Sequence, residues 1–448
     1  MSKTRPSRVL PAALAIIATT ALVACGAGTD PESPTETAPA TAAATSREDA
    51  ASAGSLTIVV EGGGLAQLQP IADSFTEETG TAVTFVELPY DSLYDRISSE
   101  LASGDLSFDV VAVDAIWMSA FGPALEPIDD LFTADVEADL FPALLEEATF
   151  DGHYVGMPAW TNAQILLYRT DLFDDPEEQA AFEAEYGYAL AAPTTWNEYN
   201  DAAAFFTRDI DGDGAIDLYG TDVKGGVETE WLALVLQAGS DAMVLDADGN
   251  VIINDANHLA ALEEYVSNVE IAPPGAAQVG WAEAQNLFNQ GQLAMTRFWA
   301  HAYTQVPSDS PVAGMVGAVP MPAGPGGVAG VPGAWYLSIP QGGEQGELAS
   351  QFIKYSYENN ELGLDTALGL AATRVALEEG AQLEGHENLG ALLETLDAPG
   401  TTARPAVPEW QQIVDDALIP MLQQAVVPGA DYQQLLDESM TQIEDIVS

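Results

Sequence analysis

An α/β fold of two lobes, each a mostly parallel sheet flanked by helices, is what three observations predict. Strand-like and helix-like stretches alternate from residue 56 onward. Apolar residues make up 47% of the chain and charged residues 18%, the balance of a globular protein. Setting aside the first 54 of 448 residues leaves about 395, too many for one core and comfortable for two lobes near 200 each.

The elements follow in order. Leu56-Thr57-Ile58-Val59-Val60 is β-branched and apolar, the composition of a strand buried on both faces. Glu61 to Gly64 reads as a loop. Leu65, Leu68, Ile71, Ala72 and Phe75 then recur at helical spacing, and Gly80 stops that helix. Val83 to Val86 is a second strand, Tyr90 to Leu101 a second helix, and Asp109 to Val113 a third strand. This rhythm predicts a parallel sheet with crossover helices. In such sheets ligands sit beyond the carboxyl ends of the strands, here Glu61 to Gly64, Leu88 to Asp91 and Asp114 to Trp117. Further on, Gln164 to Tyr168, Leu293 to Arg297 and Trp335 to Ile339 read as strands. Thr195 with Glu198 three residues on is a capping-box helix start. Ala313 to Gly333, rich in Gly and Pro, reads as a loop. Two helices, near 409–426 and 431–447, close the chain.

The N-terminus reads as an address. Lys3, Arg5 and Arg8 precede an apolar stretch, Val9 to Ala24, which ends Leu22-Val23-Ala24-Cys25. A basic start, a short apolar run and small residues make a secretory signal; the run is short of the roughly 20 residues a membrane span needs. Cys25 is the chain's single cysteine, so no intramolecular disulfide can form. The Leu-Val-Ala-Cys ending resembles the lipobox of bacterial lipoproteins. That resemblance implies cleavage before Cys25, lipidation of its sulfur and anchoring on the outer face of the cell membrane. Residues 25–54 are small, polar and acidic, the composition of a disordered tether.

Twelve bases stand against 69 acids, a net charge of −57. Removing the signal would leave nine bases and a charge of −60. Such a surface repels nucleic acid and anionic lipid headgroups. Its simplest reading is a solvated carboxylate coat.

Several fragments stand in this order along the chain: Phe75-Thr76-Glu77-Glu78-Thr79-Gly80, Phe108-Asp109-Val110-Val111, Asp151 to Pro158, Leu167 to Leu172, Pro193 to Glu198, Phe288 to Met295, Gly369 to Arg374, and Ala403-Arg404-Pro405. Together they resemble the family 1 extracellular solute-binding proteins of bacterial ABC transporters, the group that includes maltose-binding proteins. The resemblance implies a two-lobe periplasmic-binding-protein-like fold (type II) with three hinge crossings, near Ala159 to Ala163, Gly333 to Tyr336 and Ala372 to Arg374. Lobe one would be 55–160 plus 335–372, and lobe two 163–333 plus 375–448. It also implies hinge closure on a small solute, delivery to permease subunits, a monomer, no cofactor and no enzymatic activity.

A sugar offers flat C–H faces to aromatic rings and a rim of hydroxyls to carboxylates and guanidinium groups. On that chemistry the candidate ligand-binding residues are Trp117, Trp160, Trp231, Trp299, Trp335 and Tyr336, with Glu61, Asp114, Glu230 and Arg374. Each Trp either lines the cleft or packs a core, and each charge either meets the solute or water. A cage for a cationic osmolyte would use the same aromatics, so an osmolyte or peptide stays open, as does a sensor role. A glycoside hydrolase is the enzymatic alternative; no carboxylate pair stands out, and the four His are scattered.

Asp209, Asp211, Asp213 and Asp217, with Gly214 between and the carbonyl of Ala215, have the spacing of an EF-hand-type calcium loop. Gly220 replaces the glutamate at the last ligand position. A structural Ca2+ is one reading and an Asx/Gly turn the other.

Overall fold

The structure is a computed structural model that describes residues 54–246 and 248–448. The signal segment, Cys25 and the tether up to residue 53 lie outside the described residues. Among the described residues, no helix is long and apolar enough to cross a membrane.

β1 (Ser55–Glu61) is covered on both faces, with Leu56, Ile58, Val59 and Val60 fully buried. α1 (Gly62–Thr79) follows without a loop. The sequence suggested a loop over 61–64. Instead Glu61 caps the helix, its carboxylate accepting from Gly63 N at 2.8 Å, and the three glycines form its first turn. Gly80 ends α1 at φ 77°, a left-handed stop that favours glycine. β2 (Ala82–Leu88), α2 (Tyr90–Ser103) and β3 (Val110–Asp114) complete the expected parallel unit, β1 pairing with both neighbours.

A short hairpin, β4 (Thr149–Phe150) and β5 (His153–Tyr154), precedes β6 (Met157–Trp160). β7 (Gln164–Arg169), β8 (Met295–Trp299), β9 (Val316–Pro320) and β10 (Trp335–Ser338) follow. The first sheet has the order β2-β1-β3-β10-β6. β10 is antiparallel to both β3 and β6, so four strands run one way and one against them.

The second sheet, β8-β7-β9, departs from the expected parallel arrangement: its central strand is antiparallel to both neighbours. Strand direction here depends on how helices between residues 170 and 294 return the chain, which no local pattern encodes. β9 also falls in the stretch expected to be loop. Gly317 is required there, because a Cβ would come 2.4 Å from the Tyr168 ring.

β7 is buried on both faces. Ile165 and Leu167 join the first sheet's core, whereas Leu166 joins a cluster with Phe173, Tyr199 and Phe206. A separate core gathers the helices Glu228–Gln237, Ala256–Val266 and Tyr432–Val447 and the run 410–425. That run is one helical path with a π-helical turn, Val414–Leu418, just ahead of Pro420.

The chain leaves the first sheet at Trp160 and enters the second at Gln164; it returns between Pro320 and Trp335. These connections touch, Gly333 N donating to Asn162 O at 2.8 Å and Ala163 bridging Pro332. Thr161 N donates to Ala371 O at 3.0 Å. Asn360 ties the same place together: its amide donates to Ala159 O at 2.7 Å and its carbonyl accepts from Ala372 N at 2.6 Å. Beyond it, the helix Asn388–Asp397 packs on β9 and β7.

Candidate functional site

The carboxyl edge of the first sheet carries an aromatic cluster. Tyr90 follows β2, Trp117 follows β3, and Trp160 ends β6. β10 runs the other way, so its first residue, Trp335, arrives at the same edge, paired with Asp114 and Trp160. The Trp160 and Trp335 rings stack, centroids 5.6 Å apart and planes 16° apart. Trp117 meets Trp335 edge-on at 5.8 Å, and Tyr90 lies over Trp117 at 4.8 Å. Trp117 and Trp160 are buried and form the backing; Trp335 is half-buried and Tyr90 is 37% exposed, so these two present surface. Gly64 lets the Trp160 ring lie against the first turn of α1, since a Cβ there would approach it to 2.7 Å.

Polar groups rim the cluster. Asp114 caps a 3-10 turn, accepting from Ile116 N at 3.2 Å, and takes the Tyr90 hydroxyl at 3.1 Å. Burial pushes its carboxyl up, against the pull of the Arg404 charge. Arg404 Nη2 stands 3.9 Å from Asp114 Oδ1 and donates to Pro332 O at 3.0 Å. Glu228 opens the helix Glu228–Gln237. Burial raises its carboxyl too, and its charge reaches the Tyr90 phenol, which burial and then Asp114 push up. Ile116 packs against both the first sheet's core and the helical core, so the β3 end meets the second half of the molecule here. Glu61 sits at the α1 end of this rim as a helix cap.

Trp299, the last residue of β8, is half-buried against Trp281, centroids 5.6 Å apart. A Cβ on Gly333 would come 2.7 Å from its ring, so Trp299 lies directly on the second connection.

Four candidates stand elsewhere. Trp231 is fully buried in the helical core, 6.0 Å from His258. Glu230 is buried in an ion network, 2.9 Å from Lys224 and 3.5 Å from Arg297, which also pairs with Glu264. Both lie on a helix buried almost throughout, a fact its sequence shows only as an apolar run. Tyr336 is fully buried, its hydroxyl donating to Glu147 at 2.8 Å; consecutive strand residues point to opposite faces, so it cannot share the Trp335 surface. Arg374 lies over the Phe141 ring at 4.4 Å and is held by both oxygens of Asp397, at 2.5 and 2.6 Å. Tyr90, Glu228 and Arg404 were not anticipated. The signal for Arg404 was in the sequence: a rare base in a shared Ala-Arg-Pro fragment.

In the acidic loop, one oxygen each of Asp209, Asp211 and Asp217 falls within 4.8 Å of the others. Asp213 is outside that set and accepts from Ala215 N at 2.8 Å. Asp209 and Asp217 bond four backbone N–H groups of the loop, those of Gly212, Gly214, Ile210 and Asp211, while Gly212 and Gly214 take φ 78° and 95°.

Two α/β halves joined by several chain connections, with an aromatic surface at the sheet edge between them, define a two-lobe solute-binding fold. The chain belongs to the bacterial extracellular solute-binding proteins, whose family model matches residues 61–360. A Deinococcus radiodurans relative named "Probable ABC transporter-binding protein" is 29% identical over 307 residues, 66% of this chain and 69% of its own. The mannitol-binding protein of Pseudomonas aeruginosa is 27% identical over 51% of each chain. Among solved structures, the ribitol complex of an Agrobacterium radiobacter solute-binding protein is 25% identical, with TM-score 0.69 over 88% of this chain and 98% of that one. Maltose-bound MalE3 of T. maritima shares the fold at 24% identity, TM-score 0.70, over 88% and 100%.

Proposed function

We propose that this protein captures a carbohydrate or polyol between its two halves, outside the cytoplasm, and hands it to the permease of an ABC importer. The observation that carries this is the Tyr90–Trp117–Trp335–Trp160 cluster, with a tyrosine 37% exposed and a half-buried indole at a sheet edge. Such rings cover the apolar faces of a sugar, and Glu61, Asp114, Glu228 and Arg404 offer partners for its hydroxyls. The mannitol-binding relative and the ribitol-bound neighbour support the class. In this reading lobe one is 55–160 plus 335–372 and lobe two 163–333 plus 375–448. The hydrogen-bonded connections at Thr161, Asn162, Gly333 and Ala371 are the hinge about which the lobes close. No catalysis is assigned: Asp222, Glu230 and Glu264 serve ion pairs, Asp114 caps a turn, and Glu147 is bonded to the Tyr336 hydroxyl. Cys25 would anchor the chain by lipid, and the chain would act as a monomer.

A thermal-shift screen of the full chain against maltose, D-mannitol, ribitol, D-tagatose and glycine betaine tests the reading. A bound solute at one hundred times Kd adds about 2.7 kcal/mol to folding. A shift with one of the sugars or polyols, lost in Trp335→Ala, is the expected result. No shift with any of the four, or a shift with betaine alone, would overturn the carbohydrate assignment.

We also propose that the loop 209–217 holds a structural Ca2+, on the convergence of Asp209, Asp211 and Asp217.

A further inference from the structure

The described residues include two lysines, Lys224 and Lys354. Lys354 lies at the surface beside Glu358, whereas Lys224 is fully buried. Its Nζ lies 2.9 Å from Glu230 and 3.0 Å from Asp222, and Thr296 donates to the same Asp222 at 3.0 Å. Arg297, also buried, stands 3.5 Å from the other oxygen of Glu230 and 2.9 Å from Glu264. Three carboxylates and two bases are thus shut inside the second half of the molecule. Charged side chains are rarely buried so fully, and apolar residues of the same volume are often at least as stable as a buried ion network. Stability alone therefore does not account for spending two of the chain's 12 bases here.

The network has a direction. Asp222 and Lys224 stand on 221–227, an irregular segment buried almost throughout. Gly225 N donates to Ala276 O at 2.8 Å, and a Cβ on Gly225 would come 2.8 Å from that oxygen, so the segment is closely seated. Thr296 and Arg297 stand on β8, and Glu264 on the helix Ala256–Val266. Through Lys224 and Arg297 these elements hold Glu230, in the first turn of the helix Glu228–Gln237, a helix start with no side-chain cap. Residues two apart on a helix point about 200° apart. Drawing Glu230 into the network therefore turns Glu228 the other way. Glu230 is buried and Glu228 half-buried. The charge of Glu228 reaches the Tyr90 phenol, and the charge of Arg404 reaches Glu228, so the outward side is the rim of the aromatic cluster.

We infer that Lys224 and Arg297 are positioning residues for solute capture: by holding Glu230 inward they aim Glu228 at the solute. This rests on the carbohydrate reading, in which Glu228 meets a hydroxyl, and adds what sets its direction. Both bases are buried and act through the first turn of the helix rather than by touching the solute.

The test cuts the tie at either end without leaving a lone buried charge. Glu230→Leu leaves two balanced pairs, Lys224 with Asp222 and Arg297 with Glu264. The double variant Asp222→Asn/Lys224→Met removes one charge of each sign and frees Glu230 from the irregular segment. These two, the parent, Glu228→Gln and Glu228→Gln/Glu230→Leu are titrated calorimetrically as full chains with maltose, D-mannitol, ribitol, D-tagatose and glycine betaine. Solute-free melting midpoints show which are folded; where one tie-cutting variant is not, the other decides. Each should keep a midpoint near the parent's and bind the solute about tenfold more weakly. Glu228→Gln should also weaken binding about tenfold, and Glu228→Gln/Glu230→Leu should bind no worse than the weaker single, because Glu230 acts through Glu228. A network that only stabilises the fold would move midpoints and leave affinity alone. A folded tie-cutting variant within about twofold of the parent's affinity, or losses at Glu228 and Glu230 that simply multiply, would overturn the positioning role and leave the carbohydrate reading standing. Binding of betaine alone would overturn the carbohydrate reading, while the same comparison made with betaine still decides the positioning role. A parent that binds none of the five would remove both.

Discussion

Glu147 shows how much one buried side chain can carry. It is 7% exposed, one oxygen takes the Tyr336 hydroxyl at 2.8 Å, and the other has no partner among the described residues. Burial, foremost, raises its carboxyl to about 7; the charges of Asp114 and Glu146 add to this, while Arg404 and the Tyr336 bond oppose it. A carboxyl raised on folding costs stability only where it must ionise. The cost is absent below its unfolded value near 4.5, grows as pH rises, and is complete above about 7. It is on the order of 3 kcal/mol. Asp114, Asp222 and Glu228 are raised in the same direction, so the test is a difference. Urea unfolding of Glu147→Gln should lose less stability than the parent between pH 4.5 and 7; parallel pH profiles would mean Glu147 is not the group responsible. The sequence could not have shown this, because Glu147 looks like any other acid on a short amphipathic helix. It did place Trp160 and Trp335 at the expected chain crossings, and the structure stacks their rings in one aromatic cluster. Trp231 and Tyr336 are instead fully buried away from that cluster, because burial and strand face are decided by partners far away in the chain.

At the scale of elements, legibility followed locality. β1 to β3 and the helices between them announced themselves by period and by glycine stops. The capping box at Thr195 and Glu198 formed as spaced, with the Thr195 hydroxyl accepting from Glu198 N and the Glu198 carboxylate from Thr195 N. β9 did not, since Gly317 and Pro320 are poor strand residues and only pairing with β7 makes them one. The acidic loop is intermediate: its spacing is local, but whether three carboxylates share an ion depends on charge balance. Asp209, Asp211 and Asp217 held within 4.8 Å of one another repel unless a cation sits among them. Millimolar calcium should therefore raise the melting midpoint of the full chain, and Asp209→Ala should abolish the rise. Magnesium should act more weakly, because it resists dehydration and demands tighter geometry. An unchanged midpoint in calcium would leave the loop an Asx-type turn closed by its own backbone N–H groups.

The whole molecule carries a net charge of −57, and its few bases are mostly spent in pairs. The remaining carboxylates repel one another across the surface, and only the folded state holds them close. Salt shortens the reach of that repulsion, from about 10 Å at 0.1 M to about 3 Å at 1 M. Exposed ion pairs such as Lys354–Glu358 would be screened too, but such pairs contribute little. The buried network of Lys224, Arg297, Asp222, Glu230 and Glu264 is shielded from solvent and should be nearly indifferent. Relief of repulsion therefore dominates, and the solute-free melting midpoint should climb between 0.05 and 1 M sodium chloride, at about 2 °C per kcal/mol regained. Potassium chloride should act as sodium chloride does, since screening depends on ionic strength. A flat or falling curve would mean that the surface carboxylates are too well solvated and too far apart to strain the fold. The acidic coat would then bear only on solubility and on which partners are repelled.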